Sequence, residues 1–173
     1  MRFICLALLV AGCAHTPARA PRCVLPGVPS VERINEKRDL VYYAPDAQPQ
    51  ALDIAWPRKA GPHPLVVLIH GGGWAHMDKS AFRRDMRKLA GLGYAAATIN
   101  YRLVKDGKNR FPAAVQDVRC AVRWLRAHAA EYSIDAARVV ALGTSAGAHL
   151  ASMLGTAPEV QGLDHPACPA AAQ

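Results

Sequence analysis

The stretch VVALGTSAGAHLASML, residues 139 to 154, constrains this chain more than any other. A short apolar run rich in valine ends at Gly143, and an apolar segment of helical character begins just after Gly147. Between them stand Thr144, Ser145 and Ala146, so the serine occupies the middle of Gly-x-Ser-x-Gly. A buried strand turning that sharply into a helix needs glycines two residues either side of the turn, because a side chain there would strike the crossing backbone. The turn leaves the serine hydroxyl exposed at the positive end of the helix, where developing negative charge is favoured. Ser145 is therefore the candidate nucleophile.

A second glycine cluster follows another apolar run. PLVVLIH is continuous and β-branched, the pattern of a strand covered on both faces, and it leads into GGGW at residues 71 to 74. Consecutive glycines let backbone amides approach a substrate oxygen closely. Set beside the serine elbow on a neighbouring strand, the amides of Gly72 and Gly73, with that of Ala146 after the nucleophile, are the candidate oxyanion donors.

The rest of the chain alternates. DLVYYA and ALDIAWP read as an antiparallel hairpin across the turn-forming PDAQPQ, and PLVVLIH follows as an inner strand. KSAFRRDMRKLAGLGY sets Phe82, Met86, Leu89 and Ala90 on one helical face, ends in glycines and precedes the strand AAATINY. PAAVQDVRCAVRWLRAHAAEY carries Val115, Val118, Val122, Leu125 and Ala129 at steps of three and four, and ARVVALG is the fifth strand. Five strands and three helices in this order predict an α/β fold, a mostly parallel sheet with flanking helices and right-handed crossovers. Loops at the carboxyl ends of the strands would build the site.

HGGGW, GTSAGAHLA, NYRL at residues 100 to 103 and FPAAVQDVRCAVRWLRAHAAEYSID at residues 111 to 135 together resemble the esterase and lipase branch of the α/β-hydrolase family. That branch includes hormone-sensitive-lipase-like and feruloyl-esterase-like enzymes. The resemblance covers residues 39 to 156 and implies a carboxylic-ester hydrolase without a cofactor or metal. Ser145 would attack a small-molecule ester, the glycine loop would hold the oxyanion, and water would release the acyl-enzyme. It also implies that His70 orients the glycine loop and that neither His70 nor His76 is the base. Ala148 departs from the family, which often has glycine there, and its methyl bears on helix packing rather than on the nucleophile.

In that family the acid and then the base follow the serine on loops after later strands. Only 28 residues follow Ser145, ending in a Pro- and Ala-rich stretch at residues 158 to 173. The sequence therefore reads as the N-terminal part of an α/β-hydrolase fold with the last strands missing, short of a whole domain by roughly 100 residues. Asp164 and His165 stand in the right order but next to each other, His149 lies one helical turn after the serine and reads as structural, and His128 lies on a polar helix side. The expectation is an ester-hydrolase site with little activity as it stands. The competing expectation is a non-catalytic surface protein that keeps the elbow as structure, or one completed by a partner chain. An open apolar edge on the ARVVALG strand follows from the same reading.

The N-terminus speaks to location. MRFICLALLVAGC has one arginine and a nine-residue apolar run, too short to span a bilayer, which is the pattern of a secretory signal. LVAGC resembles the lipobox of bacterial lipoproteins, so residues 1 to 12 read as the signal, Cys13 as the site of lipid attachment, and residues 13 to 36 as a tether. The domain then runs from residue 37 to residue 157. The expected place is the bacterial cell envelope, anchored in the membrane by lipid, with secretion after Ala20 or a periplasmic location as the alternative. The net charge of +8 is spread over helix faces with acidic residues between, without aromatic interleaving, which argues against nucleic acid as a partner. Of the five cysteines, Cys120 reads as a buried apolar residue, leaving Cys23 with Cys168 as the one pair to consider for a disulfide.

Overall fold

The computed structural model describes residues 33–157 and 160–168, so the signal, Cys13 and Cys23 lie outside the described residues. The elements are β1 (Ile34–Tyr43), β2 (Gln50–Pro57), β3 (His63–Ile69), α1 (Arg83–Gly91), β4 (Ala95–Ile99), α2 (Ala113–Ala127), β5 (Ile134–Gly143) and α3 (Ala146–Thr156). The strands form one mixed sheet in the order β1-β2-β4-β3-β5. β1 and β2 are antiparallel, β2 meets β4 antiparallel, and β3 runs parallel to both β4 and β5. This matches the hairpin followed by a parallel array with the PLVVLIH strand inside.

The alternation of side chains along a strand explains why β3 is apolar throughout. Leu65, Val67 and Ile69 pack into the core shared with α2 and α3, whereas Val66 and Leu68 pack with Met86 and Ala90 of α1 on the opposite face. The sheet is thus covered by one helix on one side and two on the other. Val115, Val118, Cys120, Val122 and Leu125 carry the buried stripe of α2. Each fully buried valine or leucine contributes about 1.5 to 3 kcal/mol. Ala129, expected on that stripe, falls beyond the helix end at Ala127.

Three features depart from the sequence reading. β1 begins at Ile34, inside the segment assigned to the tether, and its charged NEKRD portion pairs with β2 through a register shift between Lys37 and Leu40. Asp39 in that shift has φ 55°, and its amide donates to Asp53 Oδ1. The first turn expected of α1 is a 3-10 turn, Lys79–Phe82, opened by the Asp78 side chain accepting from the Ser80 amide.

The third departure is covalent. Cys120 is bonded to Cys168, with Cα atoms 5.7 Å apart, so the expected Cys23 to Cys168 pairing does not hold. Cys120 is fully buried, as expected, but the surface burying it includes residues 160–168 returning along α2. Leu163 is buried there, Gly162 O accepts from Gln116, and Asp164 is bridged by Arg119 and Arg123. That stretch of the Pro- and Ala-rich segment is packed on the domain.

β5 pairs with β3 on one side and with no strand on the other among the described residues. Val140 is 58% and Leu142 47% exposed along this edge, which is the open apolar edge the sequence implied. None of the helices in the described residues is long and apolar enough to cross a membrane.

Candidate active site

The end of β5 and the start of α3 are bound to β3 by contacts that tolerate glycine alone. A Cβ on Gly147 would lie 2.1 Å from the Ile69 carbonyl oxygen, and one on Gly143 would lie 2.3 Å from the Gly147 carbonyl. With both glycines in place the chain turns within one residue. That residue is Ser145, at φ 51° and ψ −118°, a conformation costing about 1 to 3 kcal/mol that packing must hold. The serine is exposed, while Ala146 and Gly147 behind it are buried. The amides of Gly147, Ala148 and His149 are taken by Thr144 O and Ser145 O. The Ala146 amide has no protein acceptor among the described residues.

The glycine loop lies against this elbow. A Cβ on Gly71 would come within 2.8 Å of Thr144 O and 3.4 Å of the Ser145 Cβ, so the two segments meet backbone to backbone. Gly72 at φ 95° and Gly73 at φ 58° adopt left-handed backbone, and the Gly72 carbonyl accepts from the amides of Ala75 and His76. A Cβ on Gly72 would collide with His76 O at 2.2 Å, whereas one on Gly73 would meet nothing within 4 Å. Gly73 therefore borders open space beside the elbow.

Three anchors fix the loop. At its start the Tyr101 hydroxyl lies 3.0 Å from both His70 O and Gly71 O, and its ring stacks on the His70 imidazole at 4.3 Å. His70 Nδ1 also sits 2.9 Å from Gly71 O; a carbonyl only accepts, so this nitrogen carries the proton. Burial lowers the His70 pKa, which keeps the ring neutral, and burial raises that of Tyr101 to about 12. In mid-loop, the Val104 amide donates to Trp74 O.

At the loop's end, Lys79 is held from four directions. Its Nζ donates to Asp53 Oδ1 at 2.6 Å and to Asp39 Oδ1 at 2.7 Å, its amide donates to Asn100 Oδ1, and its carbonyl accepts from Thr98 Oγ1. Arg83 reaches the other oxygen of Asp53. Burial opposes charge on Asp53 and on Lys79, yet their hydrogen bonds prevail: the pKa of Asp53 is lowered and that of Lys79 raised. The NYRL segment contributes a further buried pair behind the site, with Arg102 Nε at 2.9 Å from Asp117 Oδ1.

Beside the elbow is an apolar cavity of about 460 Å³, with Val115 and Leu150 in its lining and Trp74, Phe111 and His149 around them. The ring of His149 stands edge-on to Trp74 at 5.5 Å.

The BD-FAE family model matches residues 52–172 of this chain, from β2 through the segment that returns along α2. The chain belongs to the BD-FAE family. Among relatives of this BD-FAE chain, the non-reducing polyketide synthase Preu6 of Preussia isomera is 38% identical over 63% of the chain, which corresponds to 5% of the synthase. Esterase LipC of Mycobacterium tuberculosis is 31% identical over 68% of the chain and 29% of its own length. Among solved structures, Thermogutta terrifontis esterase 2 phosphorylated by paraoxon superimposes with a TM-score of 0.67 at 31% identity, covering 82% of this chain and 52% of that one. The chain thus spans about half the length of that solved esterase and under a third of these curated relatives. The sheet is the corresponding part of an α/β-hydrolase fold.

The structure also locates the other titratable groups weighed from the sequence. Asp164 pairs with Arg119 and Arg123, and His165 lies 5.2 Å from the Tyr43 ring with its Nδ1 accepting from Ala167 N. His128 caps α2, with Nδ1 on Trp124 O and its ring stacked on Trp124. His149 is exposed and lines the cavity rather than filling the core. Among the described residues no imidazole or carboxylate hydrogen-bonds Ser145. Ala148 is exposed, so its methyl intrudes on nothing. Sequence reading missed Tyr101 as a loop anchor and the cavity lined by Trp74 and Phe111; NYRL stood out only as part of a resemblance.

Proposed function

We propose that this chain carries the nucleophile and oxyanion-binding portion of a carboxylic-ester hydrolase acting through an acyl-enzyme. The observation that carries the reading is the backbone contact between Gly71 and Thr144–Ser145, which sets two glycine-defined segments around one point. A small-molecule ester bound there would present its carbonyl carbon to Ser145 Oγ and its oxygen to the amides of Gly72, Gly73 and Ala146. Attack forms the Oγ–C bond, the alcohol leaves with a proton, and water cleaves the acyl group. LipC and Thermogutta esterase 2, both named as esterases, support this assignment. Among the described residues no base reaches Ser145, and a serine hydroxyl alone is a weak nucleophile, so these residues by themselves are expected to acylate slowly.

A fluorophosphonate ester tests the reading without requiring turnover. The Ser145 Oγ–P bond forms as fluoride leaves and solvent takes the hydroxyl proton. Peptide mass mapping is expected to find the adduct on Ser145, slowly formed and absent in Ser145→Ala. Labelling elsewhere, or none at Ser145 after prolonged reaction, removes the proposal.

The lipobox-like LVAGC supports placing this site at the bacterial cell envelope, on a lipid attached to Cys13. Buried acyl methylenes at about 0.8 kcal/mol each would hold the protein on the membrane. Cys13→Ala is expected to move the protein to the soluble fraction, and unchanged membrane association contradicts the anchor.

A further inference from the structure

The cavity beside the elbow has a composition narrower than an ester pocket requires. Its depth is apolar, from Val115 and Leu150, and its walls are aromatic, from Trp74, Phe111 and His149. Trp74 is held at φ 60°, a left-handed conformation that costs a residue with a Cβ about 1 to 2 kcal/mol. The hydrogen bond from the Val104 amide to Trp74 O maintains it, and the indole meets the His149 ring at 87°. Backbone strain kept in place to present one side chain points to a use for that side chain. Phe111 is 71% exposed, so its ring remains open to contact.

The polar part of the lining is equally one-sided. It contains no carboxylate, and Arg110 is its one permanent cation. Arg102, Arg119 and Arg123 on the neighbouring segments all pair with aspartates. Arg110 has no ion-pair partner among the described residues. The Asn109 amide nitrogen is spoken for, donating to Leu103 O and Gln48 Oε1, so the guanidinium is the charged donor of the lining. At about 460 Å³ the cavity sits toward the small end of ligand pockets, with room for one ring and a short substituent.

We propose that this cavity recognises an aromatic ring bearing an anionic substituent, with the ring set among Trp74, His149 and Phe111 and the anion on the Arg110 guanidinium. The quadrupole of the ring favours edge and offset contacts with these walls, and the guanidinium fork matches an oxyanion in two parallel hydrogen bonds. The His149 amide donates to Ser145 O, so this wall is one helical turn from the serine. Under the ester-hydrolase reading on which that role rests, the ring belongs to the substrate. Ring and anion recognition itself requires no turnover.

Calorimetric titration of the full chain with benzenesulfonate, benzenesulfonamide and hexanesulfonate separates the elements of the proposal, since none of the three is an ester product. Benzenesulfonate is expected to bind about ten-fold more tightly than either of the others, in keeping with a charge-assisted hydrogen bond. Arg110→Gln, at an exposed position, should bring benzenesulfonate down to the sulfonamide and leave the sulfonamide unchanged. Phe111→Ala should weaken both aromatic probes and spare hexanesulfonate. Equal affinity for the three probes, a preference surviving Arg110→Gln, or the absence of saturable binding overturns the proposal. A chain that binds as expected but is never labelled at Ser145 loses the ester-hydrolase reading and keeps this one.

Discussion

The Tyr101 hydroxyl and the Gly71 carbonyl oxygen lie 3.0 Å apart, and the His70 imidazole approaches the same oxygen from 2.9 Å. In a trans peptide the carbonyl of Gly71 and the amide of Gly72 point in opposite directions. Two buried donors drawing the carbonyl to one side therefore turn the Gly72 N–H to the other. Tyr101 is a positioning residue for the proposed oxyanion site. Tyr101→Phe keeps the stacked ring and removes the hydroxyl, so stability should fall by only about 1 kcal/mol. Fluorophosphonate labelling of Ser145 should slow by roughly ten-fold, one misaimed donor being worth more in a transition state than in the resting fold. Unchanged labelling would show that His70 alone aims the peptide.

The Cys120–Cys168 bond closes a loop of 48 residues that includes β5, the elbow and α3. In the chain-entropy account a loop of that size is worth about 4 kcal/mol. Cys168→Ser, or reduction of the native chain, should lower the unfolding midpoint in urea accordingly, and the double variant Cys120→Ala with Cys168→Ser should be no more sensitive to reductant. A midpoint indifferent to dithiothreitol would show that the bond does not form in solution.

Acid should destabilise the fold through identifiable carboxylates. The Arg119 guanidinium beside Asp164, seconded by Arg123, holds that carboxyl below its ordinary range, as Arg87 does for Glu36; Asp53 is held low by Lys79 and Arg83 despite burial. Groups with folded pKa values below the unfolded ones bind fewer protons in the native state, so their contribution is complete above the unfolded pKa and is lost as pH falls from there through the folded pKa. Urea midpoints should be flat near neutrality and decline below about pH 5. Asp164→Asn should shallow that decline, and an unchanged slope would remove Asp164 from the account.

How far the sequence foretold the fold depended on burial. β3 was legible because both its faces are covered, making PLVVLIH apolar throughout, and the turn at Ser145 was legible because two backbone crossings demand Gly143 and Gly147. The start of β1 was not, since Asn35 to Lys37 pair on an outer strand whose register then shifts at the exposed Arg38 and Asp39, where apolar alternation is not required. The disulfide was hidden for a related reason. A buried cysteine on an apolar stripe looks the same whether covered by a valine or by the chain carrying Cys168. The cavity depends on a left-handed Trp74 and on where Phe111 is carried by its loop, and no spacing rule reports either.

Among the described residues no strand covers the outer edge of β5, and that edge should make the chain self-associate. Backbone donors and acceptors lie open beside the exposed Val140 and Leu142, the arrangement in which edge strands recruit other strands. Sedimentation velocity should show association increasing with concentration. Leu142→Lys should shift the population to monomer at no cost to the melting temperature, and a monomeric native chain at high concentration would contradict the open edge.

In the proposed site the glycine loop and the serine elbow converge on one oxygen. A crystal structure of the Ser145 phosphonate adduct measures this directly. The phosphonyl oxygen is expected about 2.7 to 3.1 Å from the amides of Gly72, Gly73 and Ala146. A phosphonyl oxygen turned to solvent, with those amides beyond hydrogen-bonding distance, would contradict it.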